Sequence, residues 1–231
     1  MLKKVISILL VLAIALAFAA CGNANNNTVE QAASAAPTSA APENTSTTEE
    51  TTTNGKTLIV YFTVAENTEA DAVSSATPML DGKGAVRVLA DAVQAKTNGD
   101  MFPLITETKY ASDFDTTADT AKNEVDNNIH PKLTEHIANI EEYDTVFIGY
   151  SAWWYDMPMA VYSFLDEYDL LGKTVYVFAA HRGSGFAGGI DAIKKEEPQA
   201  TVIDNGFSIN SDDIDSNTSS DIDAWLSELG Y

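Results

Sequence analysis

Basic residues are scarce in this chain: 13 Lys and Arg stand against 34 Asp and Glu, a formal net charge of −21. Nucleic-acid phosphates are bound through clustered Lys and Arg, so the scarcity argues against a nucleic-acid partner. It argues equally against a polybasic membrane contact, and it favours a protein partner with a basic docking surface. Cysteine is nearly absent as well. The single Cys21 has neither a disulfide partner nor metal co-ligands. The chain has three histidines; His130 and His136 lie six apart, off the i, i+4 spacing of a helical ligand pair, and read as surface residues. No dinucleotide fingerprint occurs, and no apolar run reaches the roughly 20 residues of a membrane span.

The longest apolar run, Val5 to Phe18, follows Lys3 and Lys4 and precedes Ala19-Ala20-Cys21. A charged start, a short apolar stretch and small residues before a cleavage point describe a secretory leader. The tetrad Phe18-Ala19-Ala20-Cys21 resembles the lipobox of bacterial lipoproteins, which implies lipidation of Cys21 and attachment to the outer side of the cell membrane. Loss of the two leader lysines would take the net charge from −21 to −23. From Gly22 to about Gly55 the composition is Asn, Ala, Ser, Thr, Pro and Glu, too poor in apolar surface to offset its ordering entropy. The expected organisation is thus a signal peptide over 1–20, a flexible tether over 21–55 and one folded domain over 56–231.

Within that domain TLIVYF (57–62), DMFPLIT (100–106), DTVFIGY (144–150) and KTVYVFA (173–179) read as strands covered on both faces. A fifth candidate, ATVIDNGFSI (200–209), is broken at Asn205-Gly206. Helical patterns lie between them, in GAVRVLADAVQAK, PMAVYSFLDEYDLL, GGIDAIKKEEP and SSDIDAWLSELG. Segment 110–143 is less regular, though LTEHIANIEEY aligns Leu133, Ile137 and Ile140 at helical spacing. Strand and helix alternate, which predicts a doubly wound α/β sheet with helices on both faces. Ligands of such sheets bind beyond the carboxyl ends of the strands. That rule singles out the loops after Phe62, Tyr150 and Ala180.

The first loop offers Thr63, Asn67 and Thr68 as the chain leaves its first strand. The second, YSAWWYDMPM, sets Ser151, Ala152, Trp153, Trp154 and Tyr155 at the end of a central strand; neighbouring indoles cannot both enter one core, so one is expected to be exposed or to cover a ligand. The third, FAAHRGSGFAGG, holds His181, Arg182, Gly183, Ser184 and Gly185, and its glycines let backbone N–H groups approach a ligand or simply turn the chain.

Together these loops resemble the flavodoxin-like family, in a bacterial branch that carries GYPxWWGxMPM and THGGSGF loops. The resemblance spans residues 57–230 and implies a five-stranded parallel sheet of order 2-1-3-4-5, a bound FMN and an electron-transfer role. It places the three loops around the flavin, with Trp153 or Trp154 stacked on the ring. In flavodoxins the phosphate is held by S/T-x-T-G-N-T, a pattern this chain can meet in two ways. Thr63, Asn67 and Thr68 match it with Glu66 in place of the glycine; alternatively Gly84-Ala85-Val86, directly before the first helix, occupies the GNT position. Ala152, Tyr155, Ala180 and Arg182 also depart from the branch. Arg182, if near the N1 and C2-carbonyl edge, would raise the potential of the reduced flavin. A flavodoxin fold without flavin, acting as a protein- or ligand-binding module, is the alternative.

Other constellations fail. NSDDIDSNTSSD lacks the glycine and final glutamate of a calcium loop and reads as a turn before a helix. Ser184 and His181 have no G-x-S-x-G elbow. KKEEP reads as an exposed helix face.

Overall fold

The structure, a computed structural model, describes residues 55–68 and 83–231. The leader, Cys21 and the tether up to Asn54 lie outside the described residues, as does segment 69–82. β1 (Lys56–Tyr61), β2 (Asp100–Pro103), β3 (Tyr143–Ser151) and β4 (Thr174–His181) are all parallel. The fifth position is split into β5 (Thr201–Val202) and β6 (Phe207–Asn210), each paired with β4. The order β2-β1-β3-β4-β5 is the 2-1-3-4-5 arrangement. At the break, Gly206 passes so close to β4 that a Cβ there would stand 2.6 Å from the Val177 carbonyl oxygen.

Alternation along the strands sorts their side chains into two cores. Leu58, Val60, Val146, Ile148, Val175 and Val177 point one way, into Val161 and Phe164 of α3 (Met159–Glu167) and Ile193 of α4 (Gly189–Glu196). Ile59, Tyr61, Phe147 and Phe178 point the other way, into Val86, Leu89 and Val93 of α1 (Ala85–Thr97) and Ile222, Trp225 and Leu226 of α5 (Thr218–Glu228). Both faces are covered, which is why the strands read as unbroken apolar runs. None of the helices among the described residues is long and apolar enough to cross a membrane.

Between Tyr110 and Tyr143 the structure departs from the sequence reading. LTEHIANIEEY is not a helix beyond a single 3₁₀ turn at Ile140–Glu142. Its start is drawn out along the end of β2 instead: Glu107 N–H donates to Lys132 O and Thr134 N–H to Ile105 O, both at 2.8 Å. His136 then meets Glu167, and Ile137 N–H donates to the Tyr168 hydroxyl. Tertiary bonds to α3 thus override a local helical spacing. The helix of this region, α2 (Phe114–Asn127), lies earlier, where Asp113 caps it by accepting from Thr116 N–H at 2.9 Å. Its buried stripe is Thr117, Ala121 and Glu124, which carries almost no apolar signal.

His130 is half-buried against Asp166, so it is not the plain surface residue expected. Glu197 also departs from the exposed face read in KKEEP: it is buried and accepts from Leu170 N–H at 3.0 Å. The acidic run before α5 is the expected turn, with Asp215 N–H donating to Thr218 Oγ1 and Asn217 N–H to Asp215 Oδ1.

Glu124 yields a pH prediction. It is 8% exposed, and both carboxyl oxygens are bonded by the Tyr110 hydroxyl. Burial pushes the carboxyl above its ordinary 4.5, with the Tyr110 bond pulling back. A folded-state pKa above the unfolded one favours the neutral acid. Its stabilisation is complete below the unfolded pKa and lost as pH rises through the folded pKa. Glu124→Gln is therefore expected to exceed the parent by about 1 kcal/mol at pH 7, or about 2–4 °C in Tm. That advantage should vanish below about pH 4; thermal melts at pH 4 and pH 7 check it, and a gain independent of pH would refute the charge as its origin.

Candidate functional site

The register brings the three loops together. Tyr61 pairs with Gly149 and Ser151 with Ala180, so β1, β3 and β4 end side by side and release Thr63, Ala152 and Arg182 at one edge of the sheet. Phe62 N–H donates to Gly149 O at 2.9 Å and Ala152 N–H to Ala180 O at 3.0 Å, which carries the ladder past the strand ends.

After β1 the chain makes a short 3₁₀ turn, Val64–Glu66. Asn67 is fully buried and directed inward: Nδ2 donates to Thr63 O and Leu104 O at 2.9 Å, while Oδ1 accepts from Thr106 N–H at 2.7 Å and Thr106 Oγ1 at 3.0 Å. Three of these bonds tie the loop after β1 to the end of β2 and the fourth closes the loop on Thr63, leaving the Asn67 side chain committed to the fold. Thr68 forms a parallel bridge with Tyr110. Thr63 differs from both. Its Oγ1 is buried with no hydrogen-bond partner, on a residue 2% exposed. Buried hydroxyls are nearly always bonded, so an orphan at a ligand-binding edge marks a place where a ligand atom fits.

The sequence frame placed Glu66 where a phosphate would meet a repelling carboxylate. In the structure that carboxylate is engaged: Oε1 accepts from Arg87 Nη1 at 2.8 Å and from the Tyr61 hydroxyl at 3.0 Å. The second frame points to the start of α1. Gly84 is an extended N-cap, Ala85 and Val86 are wholly buried, and the first turn has no side-chain cap and no acidic residue. The backbone N–H groups of such a turn are anion donors.

Trp153 N–H donates to Asp156 O and Asp156 N–H to Trp153 O, both at 2.9 Å, around Trp154 (φ 49°) and Tyr155 (φ 61°). Two left-handed central residues make a type I′ turn, normally Asn-Gly. The glycine expected at position 155 therefore has a steric reason, and Tyr155 holds the same conformation under strain of about 1 kcal/mol. Trp153 is buried in an edge-to-face trio with Phe62 and Tyr110, its ring centroid 5.4 Å from each. Trp154 is 47% exposed, its Nε1 donating to Ala118 O of α2 at 3.0 Å, and Tyr155 is 87% exposed. Trp153 is core, and the aromatic surface belongs to its two successors.

In the third loop Gly183 (φ 105°) and Gly185 (φ 57°) hold left-handed conformations with nothing near a would-be Cβ. His181 Nδ1 accepts from Gly183 N–H at 2.9 Å, and Tyr150 fastens the loop by donating to Phe186 O at 2.7 Å. Arg182 forms an ion pair with Asp212, just past β6. Its charge is thereby compensated, which reduces the leverage expected of it on a nearby flavin. Half-buried Ser184 receives no described nucleophile-activating base, and no cluster of three metal-ligating side chains occurs among the described residues.

A cavity of about 630 Å³ opens at the other end of the sheet, between Tyr143 and Lys173 where β3 and β4 begin. Ligands of this architecture bind at the opposite, carboxyl end. Volume therefore does not locate the site here; the strand ends do.

A family description reading Flavodoxin matches residues 75–229. The chain belongs to the flavodoxin family. The match starts after Thr68, so the hydroxyl loop 63–68 of this flavodoxin lies outside it. A crystal structure from Bacteroides eggerthii, of a protein described as a flavoprotein, superimposes with TM-score 0.59 at 25% identity over 77% of this chain and 99% of that one. A second, from Bacteroides uniformis, gives 0.58 at 21% over 75% and 99%. A flavoprotein from Lactobacillus acidophilus in complex with FMN gives 0.50 at 18% over 74% and 99%, a likeness of fold. No curated protein matches the chain.

Sequence reasoning missed Arg87. A signal was present: an arginine as third residue of a helix stands at the positive end of the dipole, where cations are disfavoured.

Proposed function

We propose that this flavodoxin binds FMN non-covalently at the carboxyl ends of β1, β3 and β4 and passes electrons between redox partners. The carrying observation is the buried, unpartnered Thr63 Oγ1. By the sequence resemblance, Thr63 matches the first hydroxyl of the family's phosphate loop. With the uncapped first turn of α1 it supplies neutral donors suited to a phosphate, so the residues present fit the group. Trp154 and Tyr155 offer the aromatic wall, and the backbone of Gly183, Ser184 and Gly185 the polar edge. Bound flavin supplies one- and two-electron transfer; the protein orients it and sets its potential.

The formal charge of −21 favours a redox partner with a basic docking surface. Cys21, lipidated after removal of residues 1–20, would anchor the protein on the outer face of the cell membrane, with 21–55 as tether and the membrane contact resting on acyl chains. The second reading, a fold that has lost its flavin and serves as a binding module, draws on Asn67, whose side chain is wholly committed to the fold.

Titration of the full chain with FMN and with riboflavin, followed by flavin fluorescence, separates the two. The flavin reading expects submicromolar FMN binding with quenching, at least about tenfold tighter than riboflavin, the difference being the phosphate contacts. Absence of binding by either flavin overturns it and leaves the binding module.

A further inference from the structure

The junction of β1 and α1 concentrates charge in a way that helix stability does not explain. Arg87 sits in the first turn of α1, against the dipole, and its i, i+4 partner Asp91 (Nε to Oδ1, 2.6 Å) follows it in the less favourable order. Nη1 bridges Glu66 at 2.8 Å and the Tyr61 hydroxyl at 2.8 Å, while Nη2 bonds no described group. Lys83 joins Asp91 at 2.6 Å, and Lys109 Nζ lies 3.4 Å from Glu66 O. Three of only 13 basic residues thus gather at one junction of a strongly acidic protein.

Glu66 is half-satisfied. Its Oε1 takes both neighbours, but Oε2 is buried without a partner. Glu66 N–H reaches Thr63 O at 3.3 Å, which places the carboxylate's residue one turn from the orphan Thr63 hydroxyl. The unpaired carboxylate oxygen lacks a donor, whereas the guanidinium beside it keeps N–H groups free to take a second anion, so a phosphate arriving here would be attracted by Arg87 and opposed by Glu66.

Resting on the flavin reading above, we infer that the Glu66–Arg87 pair sets this chain's preference for the phosphorylated flavin. Arg87 supplies the charge that draws the phosphate, and Glu66 is an internal anion that competes for it. Flavins with and without the phosphate are discriminated by how far that competition goes. The pair is a specificity device laid over neutral donors.

The test is the preference ratio, riboflavin Kd over FMN Kd, in the full chain and in Glu66→Gln, Glu66→Ala and Arg87→Gln, at low and at high salt. Removing the competing carboxylate by either Glu66 substitution is expected to raise the ratio about tenfold through the FMN arm, and Arg87→Gln to lower it about tenfold. The Glu66 variants should lose most of their gain in 1 M salt, where screening acts over about 3 Å. A ratio unchanged in both Glu66 variants, while the parent binds FMN, overturns the inference and leaves the flavin reading standing. A lower ratio in the Glu66 variants overturns it too, because the carboxylate would then be a support of the phosphate site. If no variant and no parent binds either flavin, both fall together.

Discussion

Asn67→Ala should lower the unfolding free energy by about 3 kcal/mol, a fall of about 6–12 °C in Tm for a domain of this size. Alanine removes two donors and one doubly used acceptor from a fully buried position. The Thr63 carbonyl and the Thr106 hydroxyl keep Glu66 N–H and Thr108 O as partners, but the Leu104 carbonyl and the Thr106 N–H lose theirs. No solvent reaches them, so the loss includes the desolvation cost of groups left unpaired. Asn67→Asp should be no better, because a carboxylate would face two carbonyl oxygens. Urea unfolding monitored by tryptophan fluorescence measures both variants. A loss below about 1 kcal/mol would show that the ends of β1 and β2 are held by something other than this side chain. Asn67 belongs to the first of the two phosphate-loop frames, and the network explains why its side chain is better counted with the fold than with a ligand.

Gly149→Ala is expected to be comparably severe. Gly149 is the register partner of Phe178, and a Cβ there would stand 2.1 Å from the Phe178 Cε2 and Cζ atoms. Phe178 is wholly buried in the layer formed by α1 and α5, so the ring has nowhere to turn. Overpacking of this kind costs about 3 kcal/mol. It also pushes apart the two strands that deliver the aromatic and glycine loops. Flavin affinity should therefore fall with stability, although neither residue is proposed to touch flavin. Leucine lacks the two offending atoms, so Gly149→Ala with Phe178→Leu should recover at least half of the loss, a coupling readable in a double-mutant cycle. Strict additivity of the two substitutions would mean that the strands accommodate the methyl group elsewhere.

These effects rest on different levels of information. The apolar runs of β1, β3 and β4 were legible because strands covered on both faces need no alternation, whereas their order came with the family resemblance of the three loops. Asn205-Gly206 marked the split of the fifth strand. The loops after Phe62, Tyr150 and Ala180 were legible for a related reason: strand ends are where such sheets release the chain.

Sequence alone therefore determined the fold class, the three loops and the shortage of basic surface. Periodicity, composition and net charge are local or summed properties that survive without coordinates. Tertiary structure decided the rest. Helix α2 was hidden because its buried stripe is Thr117, Ala121 and Glu124, and 133–143 forgoes its helical spacing for bonds to β2 and α3. Which tryptophan is core depended on Phe62 and Tyr110, residues 91 and 43 positions away from Trp153 in the chain. Whether Glu66 repels a phosphate depended on Arg87, 21 positions on. Charge pairing and ring packing act over a few ångströms in space, and sequence distance carries no measure of that separation.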